Sequence, residues 1–204
     1  AQRQIENYTQ EQVDELIRAM VWAVAREDRS EEIARFTVDE TRLGNYEGKY
    51  LKIHRKTRAT LMDIIGDKSV GVIEEVPERN IVKIAKPVGV IGALSPSTNP
   101  EATPVIKAIS AVKGRNAIII APHPRAKLTN KKICDYMREA IVAMGAPADL
   151  VQSIDVPSLD IAEDAQTETP KRKGFFEKLV SLFSGGTDDS RPKPHWQTRN
   201  KENR

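Results

Sequence analysis

Residues Pro87–Pro100 read PVGVIGALSPSTNP and give the clearest indication of the architecture. The first part of this stretch, up to Leu94, is apolar on both faces of an extended chain, which predicts a buried strand of a parallel sheet. The second part is rich in Ser, Thr, Asn and Pro, which is typical of a turn. The stretch therefore predicts a buried strand, a turn and the start of a helix.

On the carboxyl-terminal side the pattern alternates between helix and strand. It predicts a helix over Pro100–Val112, a strand over Asn116–Ala121, a helix capped by Thr129 and ending before Gly145, and a last strand over Leu150–Ile154. Strands that alternate with helices of this length indicate right-handed crossovers and a parallel sheet. The main body is therefore predicted to be α/β.

On the amino-terminal side the apolar residues first follow helical spacing. Thr9 and Gln12 form a capping-box pattern before one helix, Ser30 is placed to cap a second, and Glu47–Ile64 is predicted to be a third. The apolar period then shortens on either side of Pro77–Asn80, a run typical of a turn. This part predicts helices followed by a β-hairpin or a pair of crossing strands.

The last part of the chain has a different composition. From Ala162 onward it is polar and mixed in charge, and it contains Lys171–Lys173 and one short apolar stretch. Such a composition cannot bury enough apolar surface to fold alone. We therefore predict a domain at 1–161 and a mostly disordered tail at 162–204, with a short amphipathic helix at 174–184.

The bulk properties exclude several classes of protein. The net charge of +3 over 204 residues gives no indication of nucleic-acid binding. The single cysteine, Cys134, rules out an internal disulfide and a zinc site built on paired cysteines, and no metal site is expected. There is no bilayer-length apolar run and no apolar signal segment, so a reducing, cytoplasmic setting is predicted.

Four segments in order resemble the aldehyde dehydrogenase superfamily. They are Gly71–Glu75 (GVIEE), Pro87–Pro100, Lys113–Ala126 (KGRNAIIIAPHPRA) and Gly145–Val151 (GAPADLV). The form SPSTNP is similar to the CoA-acylating branch, which includes acetaldehyde, propionaldehyde and sulfoacetaldehyde dehydrogenases. The resemblance ends near Ile161 and implies the amino-terminal part of a Rossmann-like dinucleotide-binding fold.

The resemblance also implies a chemistry. In the family a cysteine thiolate attacks an aldehyde, a nicotinamide cofactor (NAD or NADP) is reduced, and the acyl group passes to coenzyme A. The family's Asn after the strand donates its amide to the oxyanion, and Asn99 matches that position. An amide N–H is a fixed neutral donor where negative charge develops. Read from the residues alone, the favoured role of Asn99 is a helix N-cap with Pro100 at the first helical position, and the two roles are compatible.

Two loops are the candidate cofactor contacts by resemblance. Residues Ser95, Pro96, Ser97 and Thr98 would lie near the nicotinamide and its phosphate, and ordinary turn chemistry is their alternative interpretation. In the second loop, which follows the next strand, the contacts with adenosine or CoA phosphates would be His123, Pro124 and Arg125. This sequence has Ala121 where hydrolytic relatives have a ribose-binding Lys, as the acylating branch does.

No catalytic thiol is evident. Cys134 lies within a predicted helix, without a neighbouring His or helix N-terminus to lower its pKa, so it is interpreted as a structural thiol. Since the acyl-enzyme route needs a nucleophile, the chain is predicted to be a truncated family member that is inactive alone.

Three functions remain open. The chain could work as part of a complete dehydrogenase acting on an aldehyde and CoA. It could be a non-catalytic nucleotide- or CoA-binding subunit that assembles with itself or with full-length dehydrogenase subunits. It could also contact a membrane or a protein microcompartment through the apolar side chains of its tail, which are Phe175, Phe176, Leu179, Leu182 and Phe183.

Overall fold

The amino-terminal region of the computed structural model is helical. Its helices are α1 (Gln2–Ile5), α2 (Gln10–Ala25), α3 (Glu27–Thr41), α4 (Tyr46–Lys52) and α5 (Arg58–Ile65). The structure describes residues 1–155, and the predicted boundary at Ala162 and helix at 174–184 lie outside them. Within the described part, no helix is both long and apolar enough to cross a membrane.

The caps predicted for the first two helices have different outcomes. The capping box before α2 is confirmed, because Thr9 Oγ1 accepts from the Gln12 N–H at 3.3 Å and Gln12 Oε1 accepts from the Thr9 N–H at 2.9 Å. The prediction that Ser30 caps the next helix is wrong. Helix α3 begins at Glu27, where its acidic first turn suits the helix dipole, and Ser30 is buried one turn inside it.

The third predicted helix is confirmed as one nearly continuous run. Helices α4 and α5 are joined by a π-helical turn over Ile53–Thr57. Asn45 caps the run, because its Oδ1 accepts from the Gly48 N–H at 2.9 Å.

The predicted hairpin is present. Strands β1 (Gly71–Val76) and β2 (Ile81–Ala85) pair antiparallel across a 3₁₀ turn at Pro77–Arg79. Asn80 adopts the left-handed conformation, with φ of 51°, which Asn tolerates better than most residues.

The α/β body is also confirmed. Strands β3 (Val90–Ser95), β4 (Ala117–Pro122) and β5 (Val151–Ser153) form a parallel sheet in the order β3-β4-β5. Helix α6 (Thr103–Lys113) connects the first two strands and α7 (Lys127–Ala143) connects the last two. The arrangement is the Rossmann-like partial sheet that the sequence indicated.

The prediction that β3 is buried on both faces is wrong. Its Ile91 side packs with Ile118 and Ile120 into the core shared with helices α2, α6 and α7. On the opposite face Val90 is 61% and Leu94 is 44% exposed. Within residues 1–155, the alternation of side chains along β3 therefore places half of its apolar residues on an open face.

Two further capping predictions are corrected at the sheet's helices. Helix α6 begins at Thr103 and not at Pro100, and the Asn99 side chain does not cap it. Helix α7 begins at Lys127, so Thr129 lies inside its first turn. The carboxylate of Glu40 accepts from the N–H groups of Leu128 at 2.8 Å and Thr129 at 2.7 Å. An ionised acceptor from α3 thus takes the capping role, because it binds these donors more strongly than a hydroxyl does.

The turn between α6 and β4 connects the separate parts of the domain. The Asn116 side chain is 7% exposed and makes four hydrogen bonds. Its Oδ1 accepts from Val88 N at 2.7 Å and Gly89 N at 3.0 Å, and its Nδ2 donates to Ala111 O at 3.3 Å and Gly114 O at 3.2 Å. A Cβ on Gly114 would lie 2.8 Å from Asn116 Nδ2, so this approach needs a glycine.

The neighbouring Arg115 extends the same junction. It is 8% exposed and has a left-handed backbone with φ of 57°. Its guanidinium donates to Glu6 O at 2.6 Å and to Ala85 O at 2.9 Å. One turn therefore ties together the amino-terminal segment, the end of the hairpin and the start of β3.

We expect Asn116→Ala to destabilise the domain by about 1–3 kcal/mol, because it removes the acceptor of the N–H groups of Val88 and Gly89 in two part-buried hydrogen bonds. Urea unfolding monitored by circular dichroism measures the loss. Ser110→Ala, on the exposed face of α6, is the matched control and should change the free energy of unfolding by less than about 0.5 kcal/mol. Equal stabilities of the Asn116 variant and the wild type would contradict this account of the junction.

Candidate functional site

The two predicted contact loops meet at one edge of the sheet. In a parallel sheet the carboxyl ends of neighbouring strands lie side by side, and Ser95 at the end of β3 is opposite Pro122 at the end of β4. The His123 N–H donates to Ser95 O at 2.8 Å and continues the pairing one residue further. Ligands of open α/β sheets bind at this edge, where loops leave the strand ends.

Ser95 has an unusual environment at this edge. The residue is 4% exposed, yet its hydroxyl has no hydrogen-bond partner within residues 1–155. A buried hydroxyl without a partner costs free energy in the ligand-free protein. The next residues vary in exposure, since Pro96 and Thr98 are exposed and Ser97 is partly buried. The edge therefore offers one unpaired buried hydroxyl and a polar loop beside it.

The Asn99 amide is largely free. Among residues 1–155, the side chain makes one hydrogen bond, a long one of 3.5 Å from Nδ2 to Thr98 Oγ1. The main chain is more firmly held, because Asn99 O accepts from Thr103 N at 3.1 Å at the start of α6. The arrangement leaves an amide donor available on a fixed backbone, which is what an oxyanion site requires.

A buried ion pair lies directly beneath this loop. Lys49, on α4, and Glu101 are 2% and 0% exposed, and their charged groups are 3.1 Å apart. Lys49 Nζ also donates to Thr98 O at 2.9 Å. Sequence reasoning missed both residues, because nothing in the local pattern around Glu101 or Lys49 indicates that the two charges meet.

The second loop is held to α3. The His123 Nδ1 accepts from the Arg125 N–H at 3.1 Å, and both side chains are exposed, as is Pro124. The Arg125 guanidinium donates to Thr41 O at 2.9 Å. The structure therefore brings His123 next to Ser95 through the backbone, whereas one amino group of Arg125 is directed to the end of α3.

The interpretation of Cys134 as a structural thiol is confirmed. It lies inside α7 and is 1% exposed. Burial, with a smaller contribution in the same direction from the nearby Asp135, raises the pKa of its thiol to about 12. A thiol with this pKa is protonated at neutral pH and is a poor nucleophile.

Comparison with known proteins identifies the family. The aldehyde dehydrogenase family model matches residues 1–171. The chain belongs to the aldehyde dehydrogenase family. The prediction that the resemblance ends near Ile161 is wrong, because the match continues to residue 171.

The family's CoA-acylating branch supplies similar curated relatives, as the SPSTNP segment indicated. A sulfoacetaldehyde dehydrogenase from Acholeplasma sp. is 47% identical over 189 residues, which are 92% of this chain and 39% of the relative. An acetylating succinate-semialdehyde dehydrogenase from Clostridium kluyveri is 43% identical over 80% of this chain and 36% of its own length. The chain therefore spans less than half of the length of these aldehyde dehydrogenases and matches their amino-terminal part.

Solved aldehyde dehydrogenase structures show the same fold. An acetylating aldehyde dehydrogenase from Geobacillus thermoglucosidasius superposes with a TM-score of 0.78 at 34% identity, over 83% of this chain and 37% of that one. Propionaldehyde dehydrogenase from Rhodopseudomonas palustris with bound propionyl-CoA gives 0.66 at 26% identity, over 80% and 36%. An engineered glycolyl-CoA reductase with bound NADP⁺ gives 0.65 at 27% identity, over 78% and 36%.

We expect Cys134 to be unreactive in the folded chain. Because its pKa is about 12, only about 0.1% of the thiol is ionised at pH 9, so labelling by a disulfide reagent should be much slower than that of a free thiol throughout the range from about pH 7 to 9, with a rate that rises about tenfold per pH unit. The raised pKa also means that the contribution of this buried thiol to stability is present below about pH 9 and is lost as the pH rises toward 12.

The labelling rate is measured from the coloured group that the reagent releases, for the native chain and for the chain in urea, with Cys134→Ala as the blank. Labelling of the native chain as fast as that of the unfolded chain would show that the thiol is accessible and would overturn the structural interpretation.

Proposed function

We propose that this chain forms the amino-terminal part of the cofactor-binding region of a CoA-acylating aldehyde dehydrogenase. The reaction of such an enzyme is the NAD- or NADP-dependent oxidation of an aldehyde to an acyl-CoA. The observation that carries the proposal is the unpaired, buried Ser95 hydroxyl at the carboxyl edge of the sheet, beside the free Asn99 amide. Both are polar groups that lack a sufficient partner within the described residues, and a ligand at this edge would supply one.

The dinucleotide fits the residues at this edge. The Ser95 hydroxyl and the loop of Pro96, Ser97 and Thr98 would hold the nicotinamide half and its phosphate. The exposed residues of the second loop, His123, Pro124 and Arg125, would contact the adenosine half or a CoA phosphate. When bound, the nicotinamide ring supplies the two-electron acceptor of the reaction.

Asn99 is the proposed catalytic residue of this part of the enzyme. Its amide N–H would donate to the oxygen of the aldehyde as that oxygen gains negative charge during attack by a thiolate. A preformed donor of this kind contributes about 3 kcal/mol to stabilisation of the transition state. The long hydrogen bond to Thr98 Oγ1 is weak enough to be exchanged for the stronger one to an oxyanion.

The nucleophile has to come from outside the described residues. Cys134 is buried in α7 with a pKa of about 12, and it is the only cysteine of the 204 residues. We therefore propose that the chain alone does not turn over an aldehyde and that catalysis needs a further polypeptide segment carrying the thiol. A boundary near Ile161 and a separate tail at 162–204 are part of this proposal.

The named relatives suggest the substrate class. Sulfoacetaldehyde and succinate semialdehyde are both short aldehydes that carry an anionic group at the far end. We propose a short aldehyde of this kind, with coenzyme A as the acyl acceptor. A cytoplasmic location, free or within a microcompartment, and assembly with itself or with full-length subunits remain proposals.

The cofactor site is tested by Ser95→Ala, for which stability and affinity should change in opposite directions. Removing a buried hydroxyl that has no partner should leave the free energy of unfolding unchanged or raise it, whereas losing a ligand contact should weaken dinucleotide binding about tenfold. Calorimetric titration of the purified chain with NAD, NADP and CoA measures the affinity, and urea unfolding measures the stability.

Ser110→Ala, on the exposed side of α6, is the control variant and should bind as the wild type does. Two results would count against the cofactor site: no saturable binding by the wild type at millimolar dinucleotide, or equal affinity of the Ser95 variant and the wild type.

We expect no CoA-dependent aldehyde oxidation by the isolated chain, because no accessible thiol is available to form the acyl-enzyme. The assay follows absorbance of the reduced nicotinamide with sulfoacetaldehyde or succinate semialdehyde as the substrate. Turnover that is lost in Cys134→Ala would contradict the proposal, since it would make that buried thiol the nucleophile.

A further inference from the structure

A single ammonium group contacts the chain on both sides of Asn99, through a backbone carbonyl before it and a side-chain carboxylate after it. Lys49 Nζ donates to the carbonyl oxygen of Thr98, immediately before Asn99, at 2.9 Å. The same nitrogen donates to the carboxylate of Glu101, two residues after Asn99, at 3.1 Å. We call this arrangement of Lys49, Thr98 and Glu101 the lysine clamp.

The lysine clamp is a costly way to gain stability. Lys49 and Glu101 are almost completely buried, and Glu101 Oε1 has no hydrogen-bond partner within residues 1–155. The next cation, Lys52 Nζ, is 4.0 Å from that oxygen on a side chain that is 41% exposed. Because desolvation offsets most of the attraction in such a pair, an apolar pair of similar volume is often as stable or more so. An orienting role explains the presence of the charges better than a stabilising role does.

The lysine clamp lies beside Asn99, the residue whose orientation matters most for the proposed function. The Asn99 side chain has only the long hydrogen bond to Thr98 Oγ1, so no other hydrogen bond within the described residues holds its amide. The backbone around it is instead restricted from three directions. Pro100 disfavours helical angles at Asn99, Thr103 N donates to Asn99 O at 3.1 Å, and Lys49 fixes the preceding carbonyl.

We propose that Lys49 is a positioning residue for the Asn99 amide, acting through the Thr98 carbonyl and the Glu101 carboxylate. The inference rests on the proposed function, because Asn99 is an oxyanion donor only if the chain belongs to a catalytic assembly. Removing the ammonium releases the Thr98 carbonyl, and the peptide planes on either side of Asn99 then rotate. The backbone that carries the amide then loses its fixed geometry although the fold persists.

A second buried lysine provides a matched control. Lys113 Nζ is 2.6 Å from Asp14 Oδ1 and donates to Ile65 O at 3.3 Å. This residue therefore has the same two kinds of partner, a carboxylate and a main-chain carbonyl. Its partners lie on α2 and at the end of α5, so its loss should cost stability without affecting the Asn99 loop.

The experiment is nuclear magnetic resonance on the ¹⁵N-labelled full chain without cofactor. Order parameters are measured for the backbone amides of Thr98 and Asn99 in the wild type, Lys49→Met and Lys113→Met. The side-chain amide of Asn99 is followed in the same spectra, and its signal is assigned by its loss in Asn99→Asp. We expect a fall from about 0.85 to below about 0.6 at these two residues in Lys49→Met and no change there in Lys113→Met.

The double variant Lys49→Met with Glu101→Leu separates positioning from stability. It removes the buried carboxylate that the single variant leaves unpaired, so the free energy of unfolding should return to or exceed that of the wild type. The loop at Thr98 and Asn99 should nevertheless stay mobile. If Lys49→Met alone does not fold, the double variant provides the test of the proposal.

Order parameters at Thr98 and Asn99 that equal those of the wild type in the double variant would overturn the proposal. Failure of the proposed function is seen separately, as the absence of dinucleotide binding by the wild-type chain in titration. The control of loop order by Lys49 would then stand, and the role of Asn99 as an oxyanion donor would be rejected.

Discussion

The buried turn between α6 and β4 holds the described part of this chain together, because its side chains replace the backbone partners that strand β3 and the hairpin lack at their ends. Asn116 accepts from the two N–H groups that lead into β3, and Arg115 donates to carbonyl oxygens of the amino-terminal segment and of Ala85. Buried main-chain groups have to be paired. The turn satisfies those of three separate segments at once, and so it fixes where β3 begins. The register of β3 against β4 then places Ser95 opposite Pro122.

Buried polar groups lie at both ends of the sheet. At the amino end every polar atom of the Asn116 side chain is paired, although the neighbouring Arg115 Nε has no partner within residues 1–155. At the carboxyl end the Ser95 hydroxyl and one oxygen of Glu101 have no partner within the described residues. Such groups cost stability, and proteins retain them mainly where ligands or precise orientation require them. The two unpaired groups at the carboxyl edge support the proposal that a ligand binds there.

The sheet has an exposed apolar face within residues 1–155. Val90, Leu94 and Ile119 are exposed on the side of the sheet away from α6 and α7, although parallel sheets are normally covered on both faces. The chain spans 36–39% of the length of the sulfoacetaldehyde dehydrogenase and the acetylating succinate-semialdehyde dehydrogenase that it resembles.

The sequence by itself determined the order of the elements, the hairpin, the parallel sheet and the family, because these follow from local periodicity and from the motif between Pro87 and Pro100. It also determined that Ser95 and Asn99 lie at a strand end and that Cys134 lies in a helix. Only the tertiary structure decided the partners of the helix ends and of the buried charges. Glu40 takes the capping role predicted for Thr129, and Lys49 reaches a loop about fifty residues away. Local sequence patterns do not predict such contacts, because the contacts join groups that meet only when α3 and α4 pack beside the sheet.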